Sequence, residues 1–546
     1  MPEVFERMRG LYTPCTDIRR KVFAGITRFV LAGKKPEDID YLPFDIIDMG
    51  KPSYRCCSYR ELSIVRQRIR LAFGLPLIEE RNNMPVSAGI GEAFTDRKVL
   101  AAPIVNVIRA ACEKCPEDKV IVTNMCQSCM AHPCSLVCPV NAISFPDGDQ
   151  ALIDQKKCVK CMKCVKACPY QSITRMVRPC AAACGVDAIH SDEDGYASID
   201  QGKCVNCGLC TVSCPFAAIS DKTELVQILH QLTGPEELRP YALLAPSFAG
   251  QFGRLASPGA VAAGLLAIGF KGVREVALGA DCDTILLARR LAERPAVNPA
   301  GAADASNPAS AANPAGASNP AGASGATKAS NPAFLGTSCC PSWVMAARRH
   351  FPAFAGNIAE SFTPMVETAR LIKERDPKAR VVFIGPCIAK KAEALEPELR
   401  PYVDHVLTFE ELAAIFVAKE IDLASIDPTE FPPEASALGR GYAIAGGVGG
   451  AIAETAKLRF GLDNVALAKA DTLRNCRALL MDIQLGKVKA DLVEGMACPG
   501  GCVGGPGTLS GLLSARNEVG KFAAAAPERS PSAGCSSSRE DYNVGS

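Results

Sequence analysis

Twenty-seven cysteines are the residues in this 546-residue chain best able to do chemistry, and their spacing sorts them. Three stretches in the second half carry them on short, glycine- or proline-marked loops: TSCCPSW at Thr337–Trp343, GPCIAKKAE at Gly385–Glu393 and MACPGGC at Met496–Cys502. Each follows an apolar, strand-like run: Phe334–Leu335, Val381–Ile384, and the DLVEG of Asp491–Gly495. Thiols delivered to one place by separate loops point to a metal cluster rather than a set of disulfides. Cys339 and Cys340 are neighbours and cannot easily both bind one cluster, so one of the two is left for other work.

A second constellation lies upstream. Cys158, Cys161, Cys164 and Cys168-Pro169 form C-x2-C-x2-C-x3-C-P, the bacterial ferredoxin run, in which three thiolates wrap one 4Fe-4S cube and the fourth reaches a second cube. Cys126, Cys129, Cys134 and Cys138-Pro139 supply the partner run. By exchange, one site takes Cys126, Cys129, Cys134 and Cys168, and the other Cys158, Cys161, Cys164 and Cys138. The module is duplicated at an offset of 46 residues, with CPVNAI, CPYQSI, CGVDAI and CPFAAI recurring. The copy keeps one whole site, Cys184, Cys204, Cys207 and Cys210. The offset carries Cys126 and Cys129 onto Ser172 and Arg175, so Cys180 and Cys214 are left as half a site. Either that half is a relic or the earlier pair Cys112 and Cys115 completes it. Zinc is the weaker reading, because structural zinc favours paired CxxC knuckles over ferredoxin runs. Cys15, Cys56 and Cys57 have no assignment. Such clusters conduct single electrons. No glycine-rich dinucleotide fingerprint follows a strand, so a built-in NAD or flavin site is not supported.

The elements that must position these thiols are legible in outline. Arg60–Gly74 has helical periodicity and Lys222–Leu232 reads as a linking helix. YALL from Tyr241, running into Ala245-Pro246-Ser247, reads as a strand. So do GVREVAL at Gly272–Leu278, VVFIGP and GYAIAGGVGG, with helices between them at Thr408–Ala418 and Leu473–Leu485. Alternation of this kind predicts an α/β domain with its chemistry on the loops beyond the strand ends. The chain divides into a mixed, helical region over 1–119, duplicated ferredoxin-type modules over 120–221, and an α/β domain over 236–522. That domain is interrupted at 295–333 by a stretch of Ala, Asn, Pro and Ser that cannot bury a core. A disordered tail with Cys535 is expected over 523–546.

Composition narrows the function classes. A net charge of +2 and a pI near 7.6 imply neither nucleic acid nor an anionic membrane as partner. No apolar run reaches membrane-spanning length, and the N-terminus lacks a signal-like apolar core. Cysteines in CxxC spacing without a secretion signal fit metal ligation in the reducing cytoplasm.

TSCCPSW, PCIAKKAE and MACPGGC resemble the three signature segments of FeFe (iron-only) hydrogenases, and the similarity extends through FPAFAGNI, VLTFEELA and AGGVGGAIAE over about Tyr241–Gly507. The resemblance implies an α/β catalytic domain of the iron hydrogenase large-subunit type, preceded by α+β bacterial ferredoxin-like modules. It implies that Cys340, Cys387, Cys498 and Cys502 hold a 4Fe-4S cube. Cys502 would also bridge to a two-iron CO/cyanide/dithiolate subsite, the whole being the H-cluster. Cys339 would pass protons, Lys390 would hydrogen-bond a cyanide, aided by backbone groups around Pro246 and Ser247, Met496 would pack beside the two-iron unit, and Glu393 would support them. Lys391 and Trp343 read as a solvated lysine and a core tryptophan. The implied activity is reversible oxidation of dihydrogen. Electrons would pass through the Cys204–Cys210 site and then the Cys126–Cys168 pair to a soluble ferredoxin. Maturation proteins would supply the CO and cyanide. Two rivals share the domain: a hydrogen sensor with little turnover, and an assembly factor of the Nar type. Departures from the family are Gly385 where methionine is usual, Ala359 at the relay serine, and Leu and Arg where the acidic relay is expected. Asp281, Asp283 and Glu360 stand as substitutes.

Overall fold

The structure, a computed structural model, describes residues 10–79, 84–294 and 334–532. The interruption at 295–333 lies outside the described residues, as does the tail beyond 532 with Cys535. The expected start of that tail at 523 is corrected: the backbone carbonyls of Glu528 and Arg529 accept from the amides of Ala437 and Leu438, and Arg529 pairs with Glu454.

The α/β domain holds two parallel sheets. Four strands lie in the order Gly272–Glu275, Tyr241–Leu244, Val381–Gly385, His405–Thr408. Three more lie in the order Leu335–Gly336, Leu492–Met496, Leu467–Asp471. Val381–Gly385 and Leu492–Met496 are buried at every position, as the near-continuous apolar runs of a doubly covered parallel sheet require. Within each sheet the strands run the same way, so their C-terminal ends share one edge of it, and every cysteine-bearing signature loop starts from such an end.

Two strand expectations are corrected. The strand from Gly272 stops at Glu275, and the 17-residue helix Val276–Ala292 follows at once. GYAIAGGVGG forms no strand. Gly446 takes φ +91°, and Gly447–Phe460 is a helix whose first amides are capped by Glu494: Gly446 N and Gly449 N each donate to its carboxylate at 2.7 Å. Two successive glycine pairs favour a sharp turn over an extended strand, and a distant carboxylate decides the outcome.

The N-terminal helix Pro14–Leu31 opens with a Thr13 capping box and buries Val22, Ile26 and Phe29. It packs on the helices Phe409–Ala418 and Leu225–Thr233, and Arg19 pairs with Glu410 at 2.7 Å. The N-terminal region therefore shares the core of the α/β domain.

The ferredoxin-type region is built from short antiparallel pairs: Lys119–Val122 with Ile173–Met176, Ile143–Ser144 with Leu152–Ile153, and Ile189–Ser191 with Ala197–Ile199. Val105–Val107 pairs with Ile219–Asp221, closing the region beside the linking helix Leu225–Thr233.

Candidate metal centres

One cavity gathers the signature loops. It is lined by Cys339 and Cys340, by Cys387 and Lys390, and by Met496, Cys498 and Cys502, with Pro246 and Ser247 opposite. Each group arrives from the end of a different strand. Cys340 caps the helix Pro341–His350, Cys387 sits between the strand Val381–Gly385 and the helix Ala389–Glu393, and Cys498 and Cys502 lie on the turn after Leu492–Met496. Gly501 at φ +96° lets that turn double back, and a Cβ there would stand 2.6 Å from the Ala445 amide nitrogen.

The cavity has about 830 Å³ of space between atoms, against about 310 Å³ around Cys126, Cys129, Cys134 and Cys168. It therefore has room for a group larger than the one the ferredoxin-type site accommodates. Two buried donors face it. Ser247 Oγ, on a residue with no exposure, and Lys390 Nζ make no hydrogen bond among the described residues. Lys390 Nζ stands 2.7 Å from Glu393 Oε2, an ion pair outside hydrogen-bond alignment, and Glu393 Oε1 accepts from Thr363 at 2.7 Å. Burial alone would lower the lysine's pKa, but Glu393 outweighs it and the ammonium is held charged. A charged donor and a hydroxyl beside four soft thiols suit a thiolate-bound iron group carrying anionic ligands.

Cys339 is half-buried on the wall of the same cavity, and desolvation, then Cys340 and Glu494, push its thiol well above the ordinary range. Behind it runs a polar chain: Ser338 Oγ meets Ser361 Oγ at 2.6 Å, and Ser361 donates to Asp283 at 2.7 Å. Of the three acidic substitutes, Asp283 is the one whose charge is among those raising the Cys339 thiol. Asp281 accepts from Ser436 N and Oγ at 2.7 and 2.5 Å and so holds the residue that caps the short helix Ala437–Gly441, and Glu360 is exposed. Tyr442, which sequence reading passed over, lines the cavity and bonds Thr284 at 2.8 Å.

Gly385 has a structural counterpart to its missing side chain. A Cβ there would lie 2.6 Å from the ring of Phe383, which itself lines the cavity. Met496 is buried at the wall, and Trp343 is core, its Nε1 donating to Thr337 O at 3.0 Å. Lys391 is a correction. It is fully buried, 2.7 Å from both Asp221 and Glu411, and so ties the Cys387 loop to the end of the ferredoxin-type region. Sequence reading took it as solvated because neither partner is local.

The ferredoxin-type thiols group as their spacing predicts. Cys126, Cys129, Cys134 and Cys168 line one void, and Cys138, Cys158, Cys161 and Cys164 another. Cys184 lies in a buried cluster against which Cys204, Cys207 and Cys210 all pack, and burial, then Cys207, Cys184 and Cys204, push the Cys210 thiol well above its ordinary range. Cys207 also lines the large cavity, and Ser342 of the TSCCPSW segment donates to Val205 O at 2.9 Å, so this site abuts the cavity directly. Among the described residues no set of three or more His, Cys, Asp or Glu is gathered tightly enough for a single metal ion. Zinc would demand sulfurs 2.3 Å from a common centre.

Comparison with known proteins agrees. Residues 239–506 match the family described as iron only hydrogenase large subunit, C-terminal domain, and residues 150–173 and 197–220 each match a 4Fe-4S binding domain. This chain is thus an iron-only hydrogenase-like protein, an α/β large-subunit domain preceded by ferredoxin-type 4Fe-4S segments. Among curated relatives it is 30% identical over 212 residues to the NADP-reducing hydrogenase subunit HndD of Solidesulfovibrio fructosivorans, covering 31% of this chain and 36% of that protein. It is 30% identical over 237 residues to the periplasmic Fe hydrogenase large subunit of Nitratidesulfovibrio vulgaris, covering 35% and 56%. It is also 26% identical over 234 residues to the cytosolic Fe-S cluster assembly factor NAR1 of Eremothecium gossypii, covering 32% and 52%. The chain spans about half or less of the length of these relatives. Among the described residues no helix is long and apolar enough to cross a membrane.

Proposed function

We propose that this chain interconverts dihydrogen with protons and electrons at the large cavity, as a ferredoxin hydrogenase of the cytoplasm. The observation that carries the reading is the convergence of Cys340, Cys387, Cys498 and Cys502 on one void that is also lined by the buried Lys390 ammonium, paired with Glu393, and by the Ser247 hydroxyl, which makes no hydrogen bond among the described residues. The four thiols would hold the H-cluster, which when bound supplies a redox-active iron site open to dihydrogen. Lys390 and Ser247 would donate to its anionic ligands, and Glu393 keeps the ammonium charged and in place. Met496 and Phe383 exclude water from the cavity. Cys339 carries a proton at Sγ between the cavity and the Ser338–Ser361–Asp283 chain, which replaces the acidic pair absent from this sequence. The Cys184, Cys204, Cys207 and Cys210 site stands next in line for electrons, and a soluble ferredoxin is the exchange partner. Maturation proteins deliver the non-protein ligands.

Infrared spectroscopy of protein matured without oxygen tests this. CO and cyanide stretching bands, together with hydrogen evolution from reduced ferredoxin, are expected. Bands without turnover would make the chain a hydrogen sensor. Similarity to NAR1 favours a second reading, an assembly factor with cubes alone, for which no such bands would appear at all.

A further inference from the structure

The half-site left by the duplication is not alone. Cys112, Cys115, Cys180 and Cys214 line one void of about 310 Å³, the same size as the void around Cys126, Cys129, Cys134 and Cys168. Backbone geometry shows that this is a built site. Each ferredoxin-type site opens with a pair of cysteines whose second member is preceded by a non-glycine residue in the left-handed region: Ser128 at φ +44°, Lys160 at +55°, Asn206 at +53°. Lys114, before Cys115, has φ +48°. Left-handed backbone costs a lysine about 1–2 kcal/mol, so it persists where the fold requires it.

The remote cysteine follows a second rule. Cys138, Cys168 and Cys184 are each followed, three residues on, by a left-handed residue: Asn141, Gln171 and Asp187. Cys214 is followed by Ala217 at φ +48°. The next amide then donates to sulfur: Ala142 N to Cys138 at 3.3 Å, Ala188 N to Cys184 at 3.2 Å, Ala218 N to Cys214 at 3.3 Å. Ala197 N also donates to Cys112 at 3.5 Å. Finally, Arg178 is buried on the wall of this void. Its Nε and Nη2 hold the Cys115 carbonyl at 3.1 and 2.7 Å, while its Nη1 has no hydrogen-bond partner among the described residues. A buried cation with a spare donor complements a group made anionic by four thiolates.

We infer that Cys112, Cys115, Cys180 and Cys214 hold a fourth 4Fe-4S cluster, and that the second ferredoxin unit is split, with the entire first unit inserted between Cys115 and Cys180. The ladder Lys119–Val122 with Ile173–Met176 is the seam of that insertion. One end of it leads to Cys115 and Cys180. At the other, Thr123 N donates to Ser172 O beside the Cys126–Cys168 site. Three strand rises span about 10 Å. On the far side, Cys112 and Cys180 share one buried cluster with Cys184, and Cys204, Cys207 and Cys210 pack against it. The fourth cluster therefore stands between the first unit and the site that abuts the large cavity, and completes the electron path. This holds whether or not the cavity turns over dihydrogen.

The test is the iron and acid-labile sulfide content of the full chain, with a redox titration followed by electron paramagnetic resonance. The double variant Cys112→Ser/Cys115→Ser should lose about four iron and four sulfide per chain and one one-electron transition. Cys57→Ser, at an exposed thiol, should lose none. Unchanged iron in the double variant would overturn the inference. Should that variant not fold, Cys115→Asp keeps an anionic ligand and should alter the signal of one cluster only. A spectrum identical to wild type would equally overturn it.

Discussion

The first ferredoxin-type unit gathers two sets of four thiols and the large cavity one, and they are built differently. In the unit, eight cysteines lie within 43 residues of chain, and their loops supply the amides and left-handed turns that shape each void. In the cavity, the four thiols span Cys340 to Cys502 and are brought together only by two parallel sheets. The unit surrounds its group with backbone, whereas the cavity adds a charged lysine, a hydroxyl and an adjoining thiol with a polar chain behind it. A group that only passes electrons needs ligation and burial. A group that reacts needs directed donors and a way for protons to leave.

That contrast yields predictions, taken from the largest effect downward. Cys502→Ser should abolish hydrogen evolution from reduced viologen, a drop of more than about 10³-fold, while the resonance signals of the ferredoxin-type sites persist. Loss of those signals too would mean that the two regions are not separable. Cys339→Ala should leave infrared bands in place but lower turnover by about 10²–10⁴-fold, the range of a lost proton-transfer group. Unchanged turnover would remove the thiol from the proton path. Lys391→Met leaves the buried Glu411 and the half-buried Asp221 without their partner and should lower unfolding stability by about 3–5 kcal/mol, read by chemical denaturation, with infrared bands unaltered in the folded fraction. Asp283→Asn should slow turnover by about tenfold without moving the bands. An equal loss in the Asp281→Asn variant would place the effect in folding rather than in proton exit.

Much of the ferredoxin-type region was legible because cluster ligation there is local: C-x2-C-x2-C-x3-C-P states both the ligands and their exchange. The completion of the second unit was open, because sixty-four residues separate Cys115 from Cys180 and no spacing rule crosses such a gap. In the α/β domain, the apolar runs Tyr241–Leu244 and Val381–Gly385 declare themselves as buried strands. GYAIAGGVGG misleads, because the carboxylate that turns it into a helix start, Glu494, sits 45 residues after Gly449. Ser361 carries no motif, and Ser338 sits inside TSCCPSW with nothing local to announce a role. They matter because a hydrogen bond joins them to Asp283 across separate elements.

The sequence by itself determined the thiols, the repeat of the ferredoxin run and the three signature segments, since ligand type and short-range spacing are covalent facts. Only tertiary structure decided which groups meet: Lys390 paired with Glu393 at the cavity, Lys391 with Asp221 and Glu411, Asp283 bonded to Ser361 while Asp281 holds Ser436, and Cys112 and Cys214 on one void. The physical reason is that partnership between buried polar groups depends on which surfaces pack together, and that is set by the whole fold rather than by any stretch of chain.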